Sequence, residues 1–236
     1  MDKVLSTIKP DLIISWPTHT DYPLFRKFIY ENRDRFSRVI VIWTDMQTGL
    51  EDYRHFITEI MAKDRINFID NDPVAGDQDW RNIAVNKAVN FSNNEWIWFT
   101  EQDFFPTEIF WRVVDQLKDI YDVFGAVAGL RLHPCSIFIK RKLLDQTSKN
   151  FGVITDTLDH FGVLQQELEN QQVPIGIIPD NTYYHMNGLS QNMYFLQIGE
   201  EPNYNKEEFE EYCKKCLELT DLHPDFEELF NWYLEK

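Results

Sequence analysis

Several things are scarce in this 236-residue chain, and each shortage narrows what it can be. Its three cysteines, Cys135, Cys213 and Cys216, are an odd number without a disulfide-framework spacing, which fits a reducing, cytoplasmic setting. No apolar run approaches the roughly 20 residues needed to span a membrane. The first residues lack the apolar core of a signal peptide, so neither leader nor anchor is expected within this chain. Bases are few, 23 against 39 acids, for a net charge of −16. That balance argues against a nucleic-acid binder held by phosphate contacts and against docking on an anionic membrane. No Gly-x-Gly-x-x-Gly follows the first apolar segment, which disfavours a dehydrogenase. A glycine-rich phosphate loop with a basic residue is also missing, which weighs against a nucleotidyltransferase. No internal repeat interrupts the pattern.

What the chain does have is apolar and aromatic mass, 43% and 15% of its residues, enough for one large domain with a substantial core. The run Trp96-Ile97-Trp98-Phe99-Thr100 has the composition of a strand buried on both faces, the centre of a mostly parallel sheet. It stops at Glu101-Gln102-Asp103. Side chains alternate along a strand, so Glu101 and Asp103 are expected on one side just past its end, where open α/β sheets bind ligands. Two carboxylates there can hold a hard divalent cation.

Around this run the pattern alternates. Residues 11–16 read as a first strand ending at Pro17-Thr18, and a helical face formed by Leu24, Phe25, Phe28 and Ile29 follows. Residues 39–43 read as a second strand ending at Thr44-Asp45, followed by an amphipathic helix with Tyr53, Phe56, Ile57, Ile60 and Met61 on one face. Residues 66–69 make a third strand. A helix then begins near Asp79, with Trp80, Ile83, Ala84, Ala88 and Phe91 expected inward and Arg81, Asn82, Asn86 and Asn90 elsewhere. After the central strand, Pro106 and Thr107 open another helix, with Phe110, Val113, Val114 and Leu117 as its inner face. Alternation of this kind means βαβ units and a parallel sheet.

Beyond residue 123 the reading is less regular. An apolar stretch over 123–131 is expected to break at His133-Pro134 and resume as a short strand over 136–140, before the basic turn Lys140-Arg141-Lys142. A helix is expected over about 159–170 and a strand over 174–178, then the segment around His185. This half is read as partner strands and an acceptor side, not as a second domain. Residues 200–236 hold 12 acids and 4 bases and are read as an acidic helical extension packed on a catalytic domain of residues 1–199. Cys213 and Cys216 fall on an apolar stripe there and are read as buried structural thiols.

In their order, Pro17-Thr18, Asp45, Arg81-Asn82, Glu101-Gln102-Asp103 and the late His185 resemble a GT-A-fold, nucleotide-sugar-dependent glycosyltransferase of the large inverting family. The resemblance covers about residues 11–188. It implies a Rossmann-like, mostly parallel central sheet with flanking helices. It also implies transfer of a sugar from a nucleotide diphosphate donor, with a UDP-sugar favoured, to an acceptor hydroxyl. By the same likeness Asp45 pairs with the base, Pro17 and Thr18 line the nucleotide, and Glu101 and Asp103 hold ribose and a Mn2+ or Mg2+ ion that His185 completes. Asp159 or Asp156 would be the general base, and Arg81 or Lys87 would help neutralise the diphosphate. The chain departs from many relatives in having Glu first in the acidic triplet and Gln between the acids.

Each assignment has a plain alternative. Asp45 can simply end a strand, Asp159 can be a helix N-cap, and His185 can be an ordinary half-buried histidine. Three other functions stay open: a catalytically silent nucleotide-sugar or glycan-binding module, a nucleotidyltransferase, and DNA modification through a basic patch at Lys140, Arg141 and Lys142.

Overall fold

A computed structural model describes residues 8–15, 29, 32–43, 62, 65–70, 80–101, 104–128, 131–152 and 161–185. Its centre is a seven-stranded sheet in the order β3-β2-β1-β4-β7-β6-β8. The strands are β1 (Asp11–Ser15), β2 (Arg38–Trp43), β3 (Asn67–Asp70), β4 (Trp96–Thr100), β6 (Val123–Ala128), β7 (Arg131–Lys140) and β8 (Ile175–Ile177). All run parallel except β7, which lies antiparallel between β4 and β6. A two-stranded sheet pairs β5 (Phe104–Pro106) with β9 (Tyr183–His185). The helices are α1 (Trp80–Phe91), α2 (Glu108–Leu117), α3 (Arg141–Leu144) and α4 (Gly162–Asn170). None of the described helices is long and apolar enough to cross a membrane.

The apolar runs explain the sheet. In β1, β2 and β4 every second residue faces the same way, so Leu12, Ile14, Val39, Val41, Trp96 and Trp98 fill one core cluster. Their neighbours Ile13, Ile40, Ile42, Ile97 and Phe99 fill the other. Helix α2 covers the first face with Phe110, Trp111 and Val114. Helices α1 and α4 cover the second with Ala84, Val85, Ala88, Val89, Leu164 and Leu168. The product is a three-layer α/β/α body. Trp98 is fully buried: it stacks on Phe138 at 4.8 Å, meets Trp111 edge-on at 5.4 Å, and donates from Nε1 to Ser136 Oγ at 2.9 Å.

Three sequence expectations need correction. The inner face of α1 is Ala84, Val85, Ala88 and Val89; Ile83 and Phe91 are exposed, and the Arg38 guanidinium lies over the Phe91 ring at 5.9 Å. His133-Pro134 does not break the strand, because both residues lie inside the ten-residue β7. There the β6–β7 register shifts between Gly125 and Val127, leaving a stretch where β6 needs no hydrogen from β7, and proline is tolerated at such irregularities. Gly125 permits the close approach: a Cβ on it would lie 2.3 Å from the Ser136 carbonyl oxygen. Finally, α4 starts at Gly162 and its cap position is Phe161, at φ 70, not Asp159. Burial of the Phe161 ring against Phe99 at 5.0 Å and Phe151 at 5.2 Å holds that left-handed conformation.

The second half joins the same sheet as expected, through β6, β7 and β8. The two amphipathic helices expected before residue 62, the 1–199 and 200–236 division, and Cys213 and Cys216 fall largely or wholly outside the described residues.

Candidate functional site

From β1 the chain steps outward to β2 and β3, then returns to place β4 on the other side of β1. In such sheets the reversal opens a crevice at the carboxyl ends of the two central strands. Here those ends are Ser15 and Thr100. Glu101 therefore stands at the mouth by position alone, with a side chain 28% exposed.

Two elements converge on it. Strand β7 runs alongside: the Glu101 amide donates to the Cys135 carbonyl at 3.4 Å, and Thr100 Oγ1 donates to the same oxygen at 2.8 Å. Strand β9 brings His185 opposite Phe104, and its Nε2 lies 2.9 Å from Glu101 Oε2. Strand β9 is itself fastened to α2. Thr107 caps that helix by accepting from the Phe110 amide at 3.4 Å, and it also donates from amide and hydroxyl to the Thr182 carbonyl, at 3.0 and 2.6 Å. Tyr183 lies against Phe104 at 4.7 Å and donates its hydroxyl to Asp180. Burial first, and the Asp180 carboxylate second, push its phenol well above the ordinary range, so it stays neutral and fixes the strand.

His133 and Cys135 complete the corner. The ligating atoms of His133, Cys135 and His185 all lie within 4.8 Å of one another, and the His133 and His185 rings meet at 4.9 Å. The Cys135 amide donates to His133 Nδ1 at 3.2 Å. The sequence reading assigned neither residue to the site. The usable signal was their separation by two along a strand, which puts both on one face; a proline between them hid the strand.

Of the sequence-predicted residues, the structure brings together Glu101 and His185. Arg81 lies in the first turn of α1, with its side chain outside the described residues. Pro17, Thr18, Asp45, Asp103, Asp156 and Asp159 also lie outside them. Of the supposed basic patch, Lys140 pairs with Asp122 at 2.6 Å, and Arg141 donates to the carbonyls of Val89, at 2.7 Å, and Ser92 at the end of α1. These two cations make bonds within the fold.

Comparison with known proteins bears on the fold. No family model and no curated protein matches the chain. Among solved structures, the chain is similar over its whole length to 76% of a mannosyltransferase from Pyrobaculum calidifontis, solved with GDP-Man and Mn2+, at 16% identity and a TM-score of 0.54. More distant are TarS of S. aureus (14% identity, 80% of this chain and 64% of that one, TM-score 0.49) and the inositol-1-phosphate CTP transferase of T. maritima (9%, 74% and 86%, 0.44). The fold is thus the GT-A type found in nucleotide-sugar transferases, as the sequence reading expected.

Proposed function

We propose that the protein is a glycosyltransferase that moves a sugar from a nucleotide diphosphate donor to an acceptor hydroxyl. The observation that carries this reading is the meeting of Glu101 and His185, 2.9 Å apart, at the carboxyl end of the central strand. The carboxylate is a hard oxygen ligand for Mn2+ or Mg2+, and the added imidazole nitrogen favours Mn2+ of the two. In this reading Asp103 adds the second carboxylate. Such a cation neutralises the charge of the diphosphate leaving group, a need sharpened by a protein of net charge −16.

The chain's own residues do the rest. Asp45 pairs with the base, Pro17 and Thr18 line the nucleotide, and Arg81 adds positive charge. Asp159, or Asp156 in its place, takes the proton of the acceptor hydroxyl as its oxygen bonds to the sugar's anomeric carbon and the bond to the diphosphate breaks, inverting that centre. Residues 1–199 act as the catalytic domain, with 200–236 docked on it. The shared fold with a mannosyltransferase solved with GDP-Man and Mn2+ supports this choice of substrate class.

The test is thermal unfolding with UDP, GDP, ATP and NAD, each with and without Mn2+. A nucleoside diphosphate at a hundredfold its dissociation constant adds about 2.7 kcal/mol, or several degrees in a domain of this size. UDP is expected to give the largest shift, and only with metal present. Asp103→Ala should abolish the metal-dependent part. No shift with any nucleoside diphosphate would overturn the proposal.

A further inference from the structure

His133 and Cys135 have no part in donor binding as proposed, yet β7 sets both beside His185. The geometry points to a cation site of different chemistry: two imidazole nitrogens from His133 and His185 and the Cys135 thiolate, taking a borderline-soft divalent ion of the zinc class. The three ligating atoms already lie within 4.8 Å of one another. Nitrogen and sulfur ligands about 2.0–2.3 Å from a tetrahedral zinc stand roughly 3.3–3.8 Å apart. Closing onto an ion therefore asks for about 1 Å of side-chain movement, without moving a strand.

Two features favour this set over packing alone. Glu101 stands 2.9 Å from His185 Nε2, the carboxylate–histidine arrangement that orients ligating imidazoles: with Nε2–H donated to the carboxylate, the lone pair is on Nδ1. Thiolate also discriminates, selecting zinc over the magnesium and manganese that carboxylates prefer. Cys135 is 1% exposed, and a thiol ligates a cation as thiolate, with loss of its proton. On binding, the S–H bond breaks, a sulfur–metal bond forms and the proton leaves to solvent. His133 Nδ1 gives up the bond from the Cys135 amide if that nitrogen ligates. Because His185 belongs to both sets, a zinc-class ion here removes it from the carboxylate site.

This site does not rest on the nucleotide-sugar reading, and its test uses no nucleotide. Co2+ alone is titrated into the full-length protein and followed by absorption, with proton release measured in weak buffer. The expected result is a thiolate-to-cobalt charge-transfer band with tetrahedral visible bands, saturating at one equivalent, displaced by Zn2+ and unaffected by excess Mg2+. Cys135→Ser should remove the charge-transfer band, and His133→Gln, at a part-exposed position, should weaken Co2+ binding by more than about 10-fold. The Cys213→Ser/Cys216→Ser double variant should keep the parent spectrum. A parent without the charge-transfer band would overturn the inference. So would a band that survives Cys135→Ser or disappears with Cys213 and Cys216, or parent-like Co2+ affinity in His133→Gln. If Cys135→Ser does not fold, the His133→Gln and double-variant results still decide.

Discussion

At the amino end of the central strand, polar side chains close off the ends of other elements. Asp11 accepts from Ser92 Oγ at 2.8 Å and from the Asn93 amide at 3.3 Å; Arg141 donates to the carbonyls of Val89 and Ser92; Arg38 donates to the Phe91 carbonyl at 3.3 Å and to Asn93 Oδ1 at 2.8 Å. The bonds to the Val89, Phe91 and Ser92 carbonyls replace ones that α1 loses where it stops, and the others fasten the turn that follows it. At the carboxyl end, Glu101, His133, Cys135 and His185 converge on one another. A polar group bonded to a terminating helix is explained by the fold; ligating groups gathered at a strand end are not. The contrast separates an end where polar groups fasten a helix from one where ligating groups converge.

Substitutions between and at the two ends sharpen that contrast. The largest effect belongs to neither: Trp98→Ala, in the shared core, should cost about 3–5 kcal/mol in urea unfolding. Next comes the fastening end, where Asp11→Ala leaves a buried hydroxyl and an amide without their acceptor and should cost about 1–3 kcal/mol. Mn2+-dependent nucleotide binding by calorimetry should stay at the parent value in Asp11→Ala. The smallest effect on stability is expected at the carboxyl end. Glu101→Gln should change unfolding free energy by no more than about 0.5 kcal/mol while weakening metal-dependent nucleotide binding. If Glu101→Gln destabilises as much as Asp11→Ala and leaves binding intact, the two ends do the same job and the contrast fails.

The parallel half of the sheet was legible because strands buried on both faces read as unbroken apolar runs, as in Val39-Ile40-Val41-Ile42-Trp43 and Trp96-Ile97-Trp98-Phe99. The face of α1 was misread by about one position. Ile83 and Phe91 are larger apolar residues than Ala84 and Ala88, but the tight seat of the helix against β1, β2 and β3 takes the smaller side chains. Strand β7 was split because proline ordinarily ends a strand, and only the register shift opposite it shows why this one does not. Glu101 was readable from its place after an apolar run. His185 was found through the order of motifs, since nothing local to Tyr184-His185-Met186 requires a ligand. The convergence of His133 and Cys135 on His185 is a product of pairing between distant segments, which no window along the chain contains.

That pairing also sets when the corner can exist during synthesis. Strands β1 and β2 can meet as soon as residue 43 is available, but β4 must then insert beside β1, and His185 reaches Glu101 only when β9 pairs with β5. On a ribosome, the emerging chain must therefore carry Glu101, His133 and Cys135 for the time taken to add the residues up to 185, a matter of several seconds at about 5–20 residues per second. Throughout that interval the carboxyl ends of β1 and β4 lack the strand that brings His185 to Glu101.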